Sequence, residues 1–159
     1  MTLITPMVLE SIETNIQLQD FLSGLSVRGM SYEGVDQVEA IIRSCWDKGV
    51  DVILEPGMED AFGTYNSSSN QLTLGANALD CNIQLIETLE HEFIHVLQDQ
   101  MAGIHNSDMS ALGIPTSDYA GQMVDQGYSH LDDHTQLLEQ EAFTGEQMMD
   151  AGGMESFFV

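Results

Sequence analysis

The apolar positions along this chain follow two spacings, one typical of helices and one typical of strands. The helical spacing predicts helices at Leu18–Leu25, Tyr32–Gly49, Asn82–Met101, Ser117–Gln126 and Leu131–Asp150. Shorter runs bounded by turn residues predict strands at Asp51–Leu54, Ala61–Tyr65 and Gln71–Leu74. This order predicts an α+β fold, in which a small sheet or hairpin packs on one long helix and a second helix follows.

The strand that includes Leu72–Leu74 comes just before the long helix. We expect it to be an edge strand, where an extended peptide can bind by strand addition, although the pattern also fits an ordinary hairpin.

The predicted long helix has one wide apolar face and one polar face. Its apolar residues recur at helical intervals and include Leu85, Leu89, Phe93, Ile94, Val96 and Leu97. His91 and His95 fall on the polar face, and residues four apart on a helix share a side, so both imidazoles can reach one metal ion. The alternative is a pair of solvated surface histidines on an amphipathic helix.

The two histidines belong to the run His91-Glu92-Phe93-Ile94-His95, an H-E-x-x-H motif. In such a motif the imidazoles hold zinc and the glutamate acts as general base on a water that the zinc activates. Glu92 is therefore the candidate general base, His91 and His95 are candidate ligands, and a zinc-dependent hydrolase is the first interpretation.

A third ligand is expected on the second helix, because catalytic zinc usually has three protein ligands. Glu141 lies near the centre of the apolar, small-residue face of Leu131–Asp150, and His134 lies on the same face. An ionised carboxylate on a buried face needs a cation or strong donors. Since no Lys or Arg follows Lys48, a metal ion is the natural partner of Glu141, unless the helix packs less deeply and Glu141 lies at the surface.

Together these residues resemble the gluzincin metallopeptidases, which combine H-E-x-x-H with a glutamate ligand on a following helix. The resemblance covers two helices and a hairpin and is closest in size to small members of that group. It implies a zincin-like fold and zinc held by His91, His95 and Glu141. Many gluzincins carry an acidic residue four positions after the glutamate ligand, where this chain has Gly145.

Two alternatives to this ligand set follow from the same sequence. Glu139 is a competing third ligand, although the helical projection places it on the solvated side with Asp132, Asp133, Glu146 and Asp150. A metzincin is excluded, because Gln98 and Met101 stand where a glycine and a third histidine are expected.

Hydrolysis of a peptide also needs a donor to the oxyanion besides zinc. With no cation beyond Lys48, the candidates are Tyr119, Tyr128, His130 and His134. We expect His134 to serve first, since it lies two turns before Glu141 on the same face, and Tyr128 second.

Length and charge narrow the function classes. The 159 residues predict a single domain over 1–159, with a poorly readable segment at 1–30 and a tail at 151–159. The net charge of −23 makes nucleic acid an improbable partner and leaves a peptide or protein as the expected substrate. An acidic mimic of nucleic acid is the rival from another class, but only 18% of residues are charged.

Other features of the chain bear on compartment and partners. The N-terminus has no signal peptide and no stretch is long enough to span a membrane, so a cytoplasmic protein without a membrane partner is expected. Two cysteines are too few for a disulfide framework. The tail ending in Phe157, Phe158 and Val159 is expected to fill the core or, alternatively, to lie in the cleft.

The sequence therefore predicts a small zinc metallopeptidase. The alternative is an inactive zinc-binding or interaction protein that keeps the motif for stability.

Overall fold

A computed structural model describes residues 10–103 and 109–150, and within them the fold is α+β, with six helices and four strands. The elements are β1 (Glu10–Ile12), α1 (Asn15–Val27), α2 (Tyr32–Asp47), β2 (Asp51–Glu55), β3 (Gly63–Asn66), β4 (Gln71–Gly75), α3 (Ala76–Leu79), α4 (Asn82–Ala102), α5 (Asp118–Gly127) and α6 (Asp133–Met148). The predicted tail at 151–159 lies outside the described residues.

The chain divides into two compact units, Met1–Leu89 and Glu90–Val159, and the boundary falls inside α4. The prediction of one domain over 1–159 stays a prediction. None of the helices in the described ranges combines the length and apolar character needed to cross a bilayer.

The first unit contains a mixed sheet with the strand order β1-β2-β4-β3. β2 and β4 are parallel, whereas β1 pairs with β2 and β3 pairs with β4 in antiparallel fashion. The prediction that Leu72–Leu74 forms an edge strand is therefore wrong, because β4 has a partner on each side. The physical reason is burial: Leu72 and Leu74 are both 0% exposed, as suits a central strand, and β3 takes the outer position.

The helices of the first unit begin where side chains can cap them. Thr14 and Gln17 form a capping box at the start of α1, and Ser31 accepts a hydrogen bond from the backbone of Gly34 at the start of α2. α2 buries Val38, Ile41, Ile42 and Cys45, and the helix predicted at Tyr32–Gly49 is confirmed with its end two residues earlier. The short helix predicted at Leu18–Leu25 is confirmed within α1, which extends it by three residues at the start and two at the end, whereas β1 was not predicted.

The second unit contains the later part of α4 together with α5 and α6. Ser117 caps α5 and Asp132 caps α6, each by accepting a hydrogen bond from a backbone N–H three residues on. The helices predicted at Ser117–Gln126 and Leu131–Asp150 are thereby confirmed with boundaries shifted by one or two residues. All residues of the candidate site lie in this unit.

Candidate metal centre

α4 places the two histidines and the glutamate of the H-E-x-x-H motif close together. Leu89, Phe93, Ile94 and Val96 are all 0% exposed and fix one side of the helix in the core. The rings of His91 and His95 lie edge to face with centroids 5.2 Å apart. His91, Glu92 and His95 each offer one ligand atom, and these atoms lie within 4.8 Å of one another. The alternative of two solvated surface histidines is excluded by this burial, since His95 is only 5% exposed.

Glu139 on α6 joins the two histidines. Its Oε1 lies 2.9 Å from Nε2 of His91, and its Oε2 lies 3.0 Å from Nε2 of His95. The prediction that Glu139 points to solvent is wrong, because its side chain is only 15% exposed. One carboxylate thus faces the two imidazole nitrogens that the motif offers to a metal.

The distances among these donor atoms are slightly shorter than a small divalent cation requires, while their chemical types suit one. Ligand atoms around a tetrahedral zinc ion lie about 3.3 Å apart, given zinc–nitrogen and zinc–oxygen distances of about 2.0 Å. The Nε2–oxygen distances of 2.9 and 3.0 Å are hydrogen-bond distances to the two different oxygens of Glu139, so the side chains would have to move apart to hold a cation. Two imidazoles and a carboxylate are also donor types that zinc accepts at catalytic sites.

A second α6 carboxylate orients His91 from the other side of the ring. Oε2 of Glu146 lies 2.6 Å from Nδ1 of His91, and the ring of Phe143 packs edge to face against the same imidazole at 4.5 Å. Glu139, Phe143 and Glu146 share one side of α6, because residues four and seven apart on a helix are aligned. The imidazole is therefore held at both nitrogens and packs against the ring of Phe143.

This environment changes the protonation of the site. Burial lowers the pKa of His91, but the hydrogen bonds to Glu139 and Glu146 outweigh burial and raise the pKa to about 10. Burial raises the pKa of Glu139, but the hydrogen bonds from His91 and His95 lower it to about 2. The pKa of Glu146 is raised, since its burial outweighs the hydrogen bond to His91. In the metal-free protein, protons on the imidazoles occupy the place that a cation would take.

One carboxylate oxygen of Glu92 differs from those of Glu139, because it accepts no hydrogen bond from the described residues. The residue is 8% exposed, and its Oε2 is buried with no hydrogen-bond partner among the described residues. Burial raises its pKa, with the positive charges of His95 and His91 acting in the opposite direction. A buried carboxylate oxygen without a partner is unfavourable, and such an atom beside two metal-type ligands is expected to bind a water or a reacting group.

Gln98 orients the second histidine. Its Oε1 lies 2.7 Å from Nδ1 of His95, and its Nε2 donates to the carbonyl of Leu138 at 3.0 Å and to Oε1 of Glu141 at 2.9 Å. Gln98 is 0% exposed. Both imidazoles therefore have a hydrogen-bond partner on Nδ1 and present Nε2 to Glu139, which is how metal-binding histidines are usually fixed.

Glu141 is buried as predicted, but its partners differ from the prediction. Its carboxylate accepts backbone N–H groups from Leu112 at 2.8 Å, Gly113 at 2.7 Å and Ile114 at 3.1 Å, in addition to the amide of Gln98. Strong donors, rather than a cation, compensate this buried charge. The structure brings Glu139 to the histidines and places Glu141 against the 112–114 backbone, so the geometry disagrees with Glu141 as the third ligand.

The two predicted oxyanion donors occupy different surroundings. His134 is exposed, and its Nε2 lies 2.9 Å from the carbonyl oxygen of Met109. Tyr128 is half-buried, with its ring edge to face with Phe143 at 5.9 Å. Its pKa is raised to about 12, first by burial and then by the charges of Glu139, Glu92 and Glu146. The geometry therefore reverses the predicted order and favours Tyr128, which stays a protonated donor beside the site.

Sequence reasoning missed Glu146, Phe143 and Gln98 as parts of the site. A signal was available for the first of these, because Glu146 lies two turns after Glu139 and the two form one acidic line on α6. Gln98 is one turn after His95 but carries no charge to mark it. Comparisons with models of protein families, with curated proteins and with solved structures return no match.

Proposed function

We propose that this protein is a zinc-dependent peptidase. The observation that carries the proposal is the buried Oε2 of Glu92, which has no hydrogen-bond partner in the described part of the chain. It lies beside two histidines whose Nε2 atoms both face one carboxylate. A purely structural zinc site needs no such oxygen, because structural sites are closed by four protein ligands. We also propose, as part of this function, that the fold is zincin-like and that the chain is related to the gluzincins.

His91, His95 and Glu139 would hold the metal, with Glu139 replacing the predicted Glu141. The metal itself is proposed as zinc because imidazole nitrogen and carboxylate oxygen in a set of three suit it. When bound, zinc supplies a Lewis acid that lowers the pKa of a coordinated water toward neutrality and polarises a carbonyl group.

Glu92 would carry the proton. Its Oε2 accepts a proton from the attacking water and later releases it to the nitrogen of the leaving amine. Burial raises the pKa of Glu92, and a more basic carboxylate is a better acceptor for the proton of the attacking water.

Tyr128 would donate to the oxygen of the scissile carbonyl as negative charge develops there. The chain has no Lys or Arg after Lys48, so a neutral phenol is a suitable donor. A pKa of about 12 keeps the phenol protonated throughout the working range of pH. A donor of this kind favours a carbonyl substrate such as a peptide bond.

Metal analysis and a single substitution test the proposal. Purified protein should contain or take up one zinc ion per chain, and it should cleave casein or a peptide library. Glu92→Gln should retain the zinc and lose turnover by at least about 100-fold. Glu87→Gln, the same change on α4 outside the motif, is the matched control and should leave turnover unchanged.

The possible outcomes separate the main alternatives. Protein that binds no zinc after dialysis against it would refute the proposal and leave the acidic-mimic hypothesis. Protein that binds zinc but cleaves no peptide, with Glu92→Gln indistinguishable from the parent, would instead support an inactive zinc-binding protein.

A further inference from the structure

Residues Met109–Ser117, here called the strap, are held along α6 by a series of hydrogen bonds. His134 binds the carbonyl of Met109, Glu141 binds the backbone of 112–114, Thr144 accepts the backbone N–H of Ser117, and Gln147 accepts its hydroxyl. These α6 residues are spaced by three or seven positions and lie on one side of the helix. Glu141 is the charged member of this line.

Glu141 also contacts α4, because its Oε1 accepts the side-chain amide of Gln98 at 2.9 Å. The same amide nitrogen donates to the carbonyl of Leu138 at 3.0 Å. Both partners are acceptors, so the NH₂ group of Gln98 must face them and its oxygen must face the other way. The orientation of this buried amide is fixed by Glu141 and Leu138.

The orientation of Gln98 determines the tautomer of His95. The Gln98 oxygen lies 2.7 Å from Nδ1 of His95, and an oxygen at that distance requires a proton on Nδ1. In the neutral imidazole the second nitrogen, Nε2, then carries the lone pair. Nε2 is the atom that lies 3.0 Å from Oε2 of Glu139, at the centre of the candidate site.

We propose that Glu141 is a positioning residue that acts on the metal site through Gln98, which holds His95 in the tautomer that binds metal through Nε2. The strap provides the fixed support, since three backbone N–H groups hold the Glu141 carboxylate in place. This role rests on the proposed function, and it assigns to Glu141 an indirect effect on zinc binding.

A double-mutant cycle tests the pathway through Gln98. Gln98→Leu removes the contact to His95 and should weaken zinc binding about 10- to 100-fold, as loss of a partner behind a metal-binding histidine generally does. Glu141→Gln should weaken zinc binding about 10-fold in the parent protein. In the Gln98→Leu background, the same Glu141 change should alter zinc affinity by less than about 2-fold, since the residue it acts through is gone.

Thr144→Val is the matched control for a general loosening of the strap. It removes the hydrogen bond to the Ser117 backbone without a contact to Gln98, and zinc affinity should stay within about 2-fold of the parent. If Thr144→Val weakens zinc binding as much as Glu141→Gln does, or if the Glu141 effect persists unchanged without Gln98, the proposal is overturned.

Nitrogen-15 NMR of the imidazoles reads the tautomer directly and does not depend on peptidase activity. The zinc-loaded parent should show a proton on Nδ1 of His95, protected from exchange with solvent. Rapid exchange of that proton in the parent, equal to that in Gln98→Leu, would contradict the proposal. If the protein binds no zinc, the proposed function fails, and the Nδ1 proton and its dependence on Gln98 and Glu141 in the metal-free protein still decide the role of Glu141.

Discussion

The buried side of α6 carries one glutamate at each of its two edges, and the two carboxylates have different hydrogen-bond partners. Glu139 at one edge faces two imidazole nitrogens, and Glu141 at the other faces backbone and side-chain amides. An imidazole can give up its proton to make way for a metal ion, whereas an amide keeps its proton. Under the proposed function, the chemical type of the surrounding donors separates the metal ligand from the other carboxylate, which burial alone does not do.

Replacement of the two glutamates is the strongest test of this contrast. Glu139→Gln should lower zinc affinity by more than about 100-fold, because it replaces a ligand rather than a partner behind one. Glu141→Gln should lower it about 10-fold, through Gln98. Competition with a chelating dye measures both constants. Equal losses in the two variants would remove the distinction between the edges, and a larger loss in Glu141→Gln would restore Glu141 as the ligand.

Stability of the metal-free protein should show the opposite order. Glu141→Ala leaves the N–H groups of Leu112, Gly113 and Ile114 without their acceptor, and we expect a loss of about 3 kcal/mol in the free energy of unfolding. Glu139→Ala should cost less at pH 8, because His91 and His95 can lose their protons once the carboxylate is gone. Urea unfolding in the presence of a chelator measures both. A Glu139→Ala variant that is less stable than Glu141→Ala would contradict this expectation.

The contact of Glu139 with His91 and His95 should also make the free energy of unfolding depend on pH. The pKa of His91 is raised from 6.5 to about 10 in the folded protein, so its contribution is fully present below pH 6.5 and is lost as the pH rises through 10. One proton corresponds to a slope of at most about 1.4 kcal/mol per pH unit, which gives about 2 kcal/mol between pH 6.5 and 8.5. Metal-free protein should therefore lose stability over this interval.

Two controls belong to the pH measurement. Glu139→Gln should flatten the slope, because it removes a hydrogen bond that raises the His91 pKa. Zinc-loaded protein should show no such decline, since metal binding displaces the imidazole protons and is favoured at higher pH. Metal-free protein whose stability rises between pH 6.5 and 8.5 would show that His91 does not hold its proton between the two carboxylates.

The sequence predicted the placement of the α4 residues well and that of the α6 residues poorly, for a physical reason. On α4 the apolar residues recur with a regular helical period over many residues. Together with the H-E-x-x-H spacing, this period determines on which side of the helix each residue lies. On α6 the projection correctly predicted that Glu141 is buried, but a projection gives only angles along one helix. The backbone N–H groups of 112–114 that satisfy Glu141 belong to an irregular segment whose residue types do not mark it as a partner.

The same limit explains the fold predictions. α2 and α4 to α6 have strong periodicity, and their existence was predicted with small boundary shifts. The position of β4 at the centre of the sheet depends on its long-range pairing with β2, which local alternation does not encode. Glu139 and Glu146 looked solvated because a single apolar stripe was assumed, whereas the buried side of α6 is wide enough to include both.

The smallest expected effect concerns Gly145, which lies in the buried side of α6 between the two edges. A Cβ at this position would lie 2.5 Å from Cδ1 of Ile94 on α4, so alanine would push the two helices apart. Overpacking of this kind costs about 2 kcal/mol, and the better helix propensity of alanine offsets about 1 kcal/mol of it. We expect Gly145→Ala to lower the free energy of unfolding by about 1 kcal/mol and to weaken zinc binding several-fold, because Glu139 and Glu146 move away from α4.

Gly121→Ala on α5, where an added Cβ meets no atom within 4 Å, is the matched control and should not change zinc affinity. If Gly145→Ala binds zinc as tightly as the parent, the contact of Glu139 with His91 and His95 tolerates a change in the separation of α4 and α6. The close approach of α6 to α4 would then serve packing alone.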